Sequence, residues 1–441
     1  MGSGPAIAST SIETRTIHKV QHRILPFAFL LFFVSFLDRV NIGFAALTLN
    51  RELGITSQQY GLVAGIFFFG YFIFEIPSNL ILQKIGARIW IARILITWGA
   101  VATLTGFVRN VNQLYAMRFL LGLAEAGYVP GIVLYLTHWF RQSEQARAIA
   151  FFNTGGPVTS ILGAPISGFI LDHAHWLGLS SWRWLLILEG IPAVICGFLT
   201  YFLLPDRPEH AKFLAADEKQ WLRTELAREE QQKLERRQYS ALQALTNGRV
   251  WHLVSIYFGL MIGLYTLNFW APQLVRSLSG RYSNSVVGLL VMIPYLAGFV
   301  GMILVSRSSD RRLERRYHVA IPAIIAGTAL VLLGTTRSPF FSVALLSLLA
   351  VGVFSILGPF WALPSEFLTG FSAAAAIALI NSLGNLGGFA GPYTIGAIAM
   401  KTGNIYVGLA MAGVLLFVSA VLVLLLPKET LTSRRHQSTA G

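Results

Sequence analysis

The stretch Phe36-Leu37-Asp38-Arg39-Val40-Asn41 places a carboxylate and a guanidinium inside the first long apolar segment of the chain. A charged side chain near the centre of a bilayer costs roughly 2.5–3.5 kcal/mol on insertion scales, so such residues usually face a water-filled cavity or line an ion pathway. The alternative is a pair at a helix end whose side chains reach back to the membrane interface. Apolar residues flank the pair on both sides, which favours a functional position within the membrane.

The composition is typical of a polytopic helical membrane protein. Hydrophobic residues make up 54% of the 441 residues and charged residues only 12%, with a mean hydropathy of +0.61, whereas soluble domains carry about 25% charged residues. The chain is long enough for about a dozen spans of ~20 residues. A net charge of +14 would suggest nucleic-acid binding in a soluble protein. Here the charge reflects the distribution of basic residues among loops, so we expect no nucleic-acid partner.

Twelve apolar segments predict an all-α fold of twelve transmembrane helices. The first is too long, and too charged within, for a cleavable signal peptide. The predicted spans are 24–47, 60–82, 89–108, 114–139, 148–171 and 184–204, followed by 250–275, 286–305, 319–335, 340–363, 373–400 and 405–426. The domains that follow are an N-terminal tail (1–23), a six-helix bundle (24–204), a linker (205–249), a second six-helix bundle (250–426) and a C-terminal tail (427–441). Within the linker, Trp221, Leu222 and Leu226 predict a partly amphipathic helix.

The basic residues predict the orientation of the bundles. Most of the 34 Lys and Arg residues lie in the tails, the linker and alternate loops. The opposite loops hold only Arg51, Arg109, Arg183, Arg276, Arg281, Arg337 and Lys401. Because cytoplasmic loops carry the excess of Lys and Arg, we expect both termini and the linker to be cytoplasmic.

An internal repeat supports the division into two halves. An offset of 227 residues takes Asn41 to Asn268, Gln83 to Asp310 and Pro165 to Pro392, and an offset of 228 takes Asn153 to Asn381. Parallel six-helix repeats are an architecture of secondary transporters, in which the substrate binds between the halves.

Several motifs resemble those of the major facilitator superfamily and, more narrowly, of its anion:cation symporter family. They are Phe36 to Gly43, Pro77-Ser78-Asn79, Arg118 to Gly127, Asn381 to Gly388, and the loop motifs after spans two and eight. The resemblance covers essentially the whole chain. It implies proton-coupled uptake of organic anions, in which Asp38 and Glu125 match the proton-coupling acids and Arg39 and Arg118 match the anion-binding arginines.

The loops after spans two and eight carry the expected gating motif in altered form. Its matching residues are Lys84, Gly86 and Arg88 in the first half and Asp310 and Arg311 in the second. In the first half, Asn79 and Gln83 replace the usual glycine and aspartate. A charge lock between this loop and a neighbouring helix is therefore expected only in the second half.

The four charges of spans one and four cannot satisfy one another within their own helices. Arg118 and Glu125 are seven residues apart, which puts them on one face but about 10 Å apart along the axis. Asp38 and Arg39 are adjacent and point roughly 100° apart. We therefore predict that spans one and four pack so that each acid lies near the arginine of the other helix. Arginine suits carboxylate recognition because its planar fork binds two oxygens at once.

The second half offers polar rather than charged candidates for substrate binding. Tyr265 and Asn268 lie in span seven, and Asn381 and Asn385 lie among glycines in span eleven. They could bind hydroxyl groups of a substrate, or the asparagines could join helices through hydrogen bonds, and both interpretations stay open. The runs Gly155-Gly156-Pro157 and Gly384 to Gly391 predict close packing and bending of helices.

These observations favour a transporter over two other classes. An enzyme would need a nucleophile–base set or a metal cluster, and the histidines lack zinc-like spacing beside carboxylates or cysteines. A sensor would usually carry a signalling domain, and only the linker is large enough. We expect no cofactor apart from the proton as coupling ion. The expected partners are a small organic anion, a proton and the lipid bilayer, with the chain as a monomer.

The transported anion is expected to be a tartrate- or sugar-acid-like hydroxy acid, with an aromatic carboxylate as the alternative. Uniport, exchange of anions and a non-transporting sensor remain further alternatives to proton symport. The family resemblance implies the inner (plasma) membrane as the location.

Overall fold

The computed structural model describes residues 4–235, 247–336, 338–364 and 370–426. The predicted C-terminal tail and part of the linker lie outside these residues. The α-helices are α1 (Gly4–Glu52), α2 (Ser57–Ile85), α3 (Ala87–Thr105), α4 (Val111–Glu125), α5 (Tyr128–Thr137), α6 (Gln142–Asn153), α7 (Gly155–His173), α8 (Ser181–Leu203), α9 (Ala216–Glu235), α10 (Gly248–Leu278), α11 (Asn284–Arg312), α12 (Arg316–Leu332), α13 (Pro339–Ala362), α14 (Gly370–Asn385), α15 (Gly387–Thr402) and α16 (Ile405–Leu424). Short 3₁₀ helices at Trp176–Gly178, Pro208–His210 and Leu333–Thr335 cover loops or helix ends.

The predicted all-α class is confirmed. Among the described residues, 11 helical segments are long and apolar enough to cross a membrane. They match every predicted span except the eleventh. That span falls on the consecutive helices α14 and α15, which are each too short to be counted alone.

Three predicted spans are interrupted where the sequence contains glycine. Between α4 and α5, Gly127 adopts a left-handed conformation with φ +83°, which L-residues with a side chain rarely adopt. The boundary of α6 and α7 lies at Thr154, directly before Gly155-Gly156-Pro157, and that of α14 and α15 lies at Leu386. Both glycine runs predicted to bend helices thus coincide with an interruption of a predicted span.

Helix α1 begins well before the predicted first span. Residues from Gly4 onward continue the same helix, and this extension docks on linker helix α9. Arg15 Nε lies 2.7 Å from Glu218 Oε1 and Lys19 Nζ lies 2.9 Å from the same oxygen. Burial of the Glu218 carboxyl raises its pKa, but hydrogen bonds from Lys19, the Ala215 amide and Arg15 outweigh burial and hold the pKa below its usual value. The linker helix is thus anchored to the first half by charge.

The two halves meet through helix pairs that approach closely at one end. We call this the distal end; it carries loops 53–56 and 174–180 and lies opposite the linker. Helices α2 and α15, α7 and α11, and α1 and α10 pack across the interface. A Cβ atom on Gly288 would lie 2.4 Å from the Ala164 carbonyl oxygen, and one on Gly396 would lie 2.2 Å from that of Ser57. Only glycine permits backbones to approach so closely.

The carboxylate of Asp172 also joins the two halves at the distal end. Asp172, near the end of α7, accepts hydrogen bonds from the Asn284 amide at 3.0 Å, from Asn284 Nδ2 at 2.9 Å and from the Ser285 amide at 2.7 Å. It therefore caps the N-terminus of α11, where unpaired amides and the helix dipole favour a negative charge. The distal end of the interface is closed in this structure.

Candidate functional site

The four predicted charges lie close together, although α1 and α4 make few direct contacts and α4 packs mainly on α2 and α3. Asp38, Arg118 and Glu125 are each at most 2% exposed, and the Arg39 side chain is 13% exposed. Glu125 is the last residue of α4, just before the turn at Gly127. This turn ends the helix inside the bundle, so that Glu125 lies among packed helices and not in a solvent-exposed loop.

Arg39 and Glu125 form an ion pair, so one of the two predicted cross-helix pairs is confirmed. The Arg39 guanidinium also lies 5.4 Å from the ring centre of Phe67 and 5.5 Å from that of Tyr71. Aromatic faces attract a cation in this position. Arg39 is therefore held between a carboxylate and two rings, while part of its side chain stays accessible.

Asp38 does not form the second predicted pair. Its Oδ1 accepts a hydrogen bond from Asn41 Nδ2 at 2.8 Å, and its Oδ2 accepts one from Trp98 Nε1 on α3. No ion pair joins Asp38 to Arg118 within the described residues, although the two charges interact at longer range. The prediction was wrong because helix periodicity shows only which face of its own helix a residue occupies. It does not show that a third helix, here α3, supplies a closer partner.

Arg118 keeps an unused donor. Its Nε donates to the Val63 carbonyl oxygen at 3.2 Å, and its guanidinium lies 5.2 Å from the ring centre of Phe67. Arg118 Nη2 and Arg39 Nε are both buried and have no hydrogen-bond partner. A buried unsatisfied donor costs about 1–3 kcal/mol, more when charged. An anion that reached these donors would recover that cost.

The two predicted substrate-binding residues of α10, Tyr265 and Asn268, lie on the side of this helix that faces the first half. Tyr265 is buried with its ring centre 4.4 Å from that of Phe68, and its hydroxyl lies beside Arg39. Asn268 is buried too, and its Oδ1 accepts a hydrogen bond from Tyr295 at 3.1 Å while its Nδ2 has no partner. Tyr265 is thus next to the charge cluster, whereas Asn268 takes part in packing between α10 and α11.

The asparagines of α14 contact an acid that the sequence reasoning missed. Asn381 Nδ2 donates to Glu75 Oε1 at 3.2 Å, and Ser382 Oγ donates to Glu75 Oε2 at 2.6 Å. Asn385 Nδ2 in turn donates to Asn381 Oδ1 at 3.0 Å. Glu75 lies on α2, so these bonds join the two halves. Both interpretations of the asparagines keep support, because they join helices and stay only half-buried.

Glu189 on α8 is a second buried acid that was missed. Its carboxyl is 2% exposed and accepts a hydrogen bond from Ser167 Oγ at 2.8 Å. Glu75 and Glu189 both lie inside predicted spans, so the burial cost that marked Asp38 could have found them. Neither has a basic neighbour in the sequence, which is why they did not stand out as a pair.

The loop motifs lie far from this cluster. Asp206, after α8, accepts a hydrogen bond from the Arg88 amide at 2.7 Å and lies 3.8 Å from Arg88 Nε. The expectation of a charge contact only in the second half was wrong, because Asp206 supplies the acid in the first half although Gln83 occupies the usual aspartate position. In the second half Asp310 pairs with Arg315 at 2.6 Å. Of the remaining residues of the loop motifs, Gly86 has a backbone φ of +98°, and the side chains of Lys84 and Arg311 are exposed.

Comparisons with known proteins agree with this architecture. The family model of the Major Facilitator Superfamily matches residues 28–392. A protein of Agrobacterium vitis named as a tartrate transporter is 46% identical over 420 residues, which are 95% of this chain and 96% of that protein. A protein of Acinetobacter baumannii named as a quinolone resistance transporter is 37% identical, with 93% of this chain and 94% of that protein covered. The crystal structure of a D-xylose-proton symporter superposes with a TM-score of 0.73 at 19% identity, covering 93% of this chain and 98% of that one.

Proposed function

Because the chain belongs to the Major Facilitator Superfamily, we propose that it is a proton-coupled symporter that takes up a small organic carboxylate such as tartrate. The family and the curated relatives are transporters, so the chain is a multi-pass membrane transporter and not an enzyme. The observation that carries the proposal is the buried cluster of Asp38, Arg39, Arg118 and Glu125, in which both arginines keep an unpaired nitrogen. The name of the Agrobacterium relative supports tartrate as the first substrate to test.

A carboxylate substrate fits the two arginines. Arg118 offers a charged nitrogen without a partner, and Arg39 is accessible from one side of the cluster. Two guanidinium groups can each bind carboxylate oxygens through charge-assisted hydrogen bonds, and a guanidinium does not lose its charge by deprotonation. Tyr265 and the half-buried Asn381 and Asn385 are our candidates for contacts with the hydroxyl groups of the substrate.

Charge balance couples the anion to the proton. With both acids ionised, the four side chains sum to zero, and protonation of one or both acids leaves a charge of +1 or +2. A bound anion is favoured by that positive charge, so proton and anion each raise the affinity of the other by the same factor. Uptake is therefore expected to increase as the external pH falls.

The interface between the halves supports the proposal of alternating access. If the distal end faces the outside, as the basic residues predict, its closed interface corresponds to a state closed toward the outside. Opening it would break the three hydrogen bonds of Asp172 and separate the glycine contacts. Movement of one bundle against the other around a central site is the transport cycle that parallel six-helix repeats support.

Gly288→Val is expected to lower uptake by roughly fivefold to a hundredfold while leaving membrane insertion normal. The valine side chain would collide with α7, and overpacking of this kind costs about 1–3 kcal/mol, so the state open at the distal end gains population. Two measurements report the effect: uptake in cells, and the reactivity of a cysteine introduced into loop 174–180 toward a water-soluble thiol reagent. Gly280→Val is the matched control, because a Cβ there has no atom within 4 Å. Equal uptake by the two variants would contradict the proposed closure.

An aromatic carboxylate is the second candidate substrate. The rings of Phe67 and Tyr71 lie beside the Arg39 guanidinium, and Phe68 and Tyr265 meet edge to face next to it. An aromatic ring attached to a carboxylate would find faces to stack on there. The hydroxy acid stays the first choice because the arginines keep two buried donors without a partner, Arg39 Nε and Arg118 Nη2, which oxygen atoms of a substrate can satisfy.

A counterflow assay with the purified protein in liposomes tests the substrate class. Liposomes loaded with unlabelled tartrate, a sugar acid, an aromatic carboxylate or a neutral sugar alcohol are diluted into labelled tartrate. We expect label to enter with the tartrate and sugar-acid loads and not with the sugar alcohol. If labelled tartrate entered with none of the loads, while a labelled aromatic carboxylate entered liposomes loaded with the same compound, the second candidate would replace the first. Entry of labelled tartrate with the uncharged load would contradict carboxylate recognition.

A further inference from the structure

Glu189 is a buried carboxyl group for which the proposed cycle has no role. It lies on α8 about 12 Å from the helix start at the distal end, and α1 and α3 pack against this helix. Its Oε1 accepts the hydrogen bond from Ser167, while Oε2 is buried without a partner. A buried carboxylate with an unsatisfied oxygen is unfavourable unless a cation or a proton compensates it.

The groups that face Glu189 include no cation among the described residues. From α1 it faces Asp38 and the Asn41 amide, and from α7 it faces Ser167. On α3, Thr103 lies against the neighbouring Gly190. Closer to the distal end, Arg183 is already paired with Glu52 at 3.2 Å. The one charge that acts on Glu189 is thus another carboxylate, and two adjacent buried carboxylates do not both ionise readily.

Asn41 lies next to both acids. It donates to Asp38 Oδ1 at 2.8 Å and its amide group lies beside Glu189, while its own Oδ1 is buried without a partner. These three side chains therefore contain two unsatisfied acceptors, Asn41 Oδ1 and Glu189 Oε2. A proton on Glu189 converts one of these acceptors into a donor and removes the like-charge contact with Asp38.

We propose that Glu189 is a third proton-binding residue, which stores a proton beside Asp38 and exchanges it with Asp38 during the cycle. In the exchange, the O–H bond of Glu189 breaks and a new O–H bond forms on Asp38. The charge of the pair is unchanged, and Glu189 regains a proton from the distal side, to which it lies closer. Asp38 is thus supplied with protons independently of the Arg39–Glu125 ion pair. This inference rests on the proton coupling proposed above.

The first test compares wild type with Glu189→Gln in liposomes. The glutamine keeps the size of the side chain and its contact with Ser167 but carries no exchangeable proton of the acid. We expect proton-driven accumulation of tartrate to fall at least about tenfold while counterflow stays within about twofold of wild type, because counterflow needs no proton exchange. A merely structural Glu189 would leave both activities at the wild-type level in this variant, and that result would overturn the proposal.

Two further measurements keep the proposal testable if Glu189→Gln folds poorly. Ser167→Ala removes the hydrogen bond that orients the carboxyl, and we expect it to displace the pH profile of uptake without abolishing counterflow. In infrared difference spectra between acidic and alkaline buffer, the wild type should show a carboxylic-acid carbonyl band that shifts in Ser167→Ala, because the Ser167 hydroxyl donates to this carboxyl. An unchanged profile and an unchanged spectrum would overturn the proposal. If proton coupling itself were absent, accumulation by the wild-type protein would not depend on the proton gradient.

Discussion

Arg118→Lys is expected to lower the apparent affinity for the transported carboxylate by roughly tenfold to a hundredfold. Lysine keeps the charge but loses the planar fork, and one charge-assisted hydrogen bond is worth about 1.5–3 kcal/mol. Arg118 has a buried nitrogen without a partner, so the loss should fall on the bound anion more than on the fold. The half-saturating concentration in a counterflow assay measures the effect directly.

Arg39→Lys should act in the same direction, with an added cost from its ion pair with Glu125. Arg109→Lys is the matched control, since Arg109 is exposed in a loop at the distal end. Expression and thermal stability in detergent should resemble wild type for the control and stay close to it for Arg118→Lys. Unchanged affinity in both Arg39→Lys and Arg118→Lys would remove the arginines from the binding site.

Glu125→Gln is expected to separate exchange from accumulation. The glutamine resembles the protonated acid, so the cluster keeps a positive charge and can still bind the anion. Exchange through the loaded carrier should continue, whereas accumulation against a gradient should be lost because the empty carrier must release a proton to return. Removing one partner of a buried ion pair costs about 3–5 kcal/mol. The variant should therefore also melt earlier and gain more thermal stability from the substrate than wild type does.

Glu144→Gln is a suitable control for this comparison, because Glu144 pairs with Arg141 outside the charge cluster. Asp38→Asn tests the other acid of the cluster. Since Asp38 is held by Trp98 and Asn41 and not by Arg118, its variant should keep substrate binding. Full proton-driven accumulation by Glu125→Gln would exclude Glu125 from coupling and leave Asp38 as the coupling acid.

The fold was largely predictable from local patterns. Apolar segments placed the spans, and the glycine runs before Pro157 and around Leu386 marked the helix interruptions that the structure contains. The extension of α1 toward Gly4 was not predicted. Most of its residues are polar, and this part of the helix is held by ion pairs with α9, which lies about 200 residues further along the chain. The hydrophobic periodicity of a segment does not predict a contact with a helix so distant in sequence.

The candidate site was predictable in its composition but only partly in its contacts. The cost of burying charge identified Asp38, Arg39, Arg118 and Glu125, and the ion pair of Arg39 with Glu125 agrees with the prediction that an acid lies near the arginine of the other helix. The predicted close packing of spans one and four was wrong, because α4 packs mainly on α2 and α3. The partner of Asp38 depended on the rotation of a third helix, which brings Trp98 to the carboxylate. Glu75 and Glu189 carried the same signal of a charge in an apolar segment. Their partners, Ser382 and Ser167, are neutral and lie on other helices.

Proton coupling is tested most directly by following labelled tartrate and internal pH together in liposomes that contain the purified wild-type protein. An imposed gradient, acidic outside, should drive tartrate to accumulate and protons to enter with it, and a protonophore should abolish both. The same liposomes in a sodium gradient without a proton gradient should show no accumulation. Accumulation that persists with the proton gradient collapsed, or that follows sodium or an exchanged anion, would contradict proton symport.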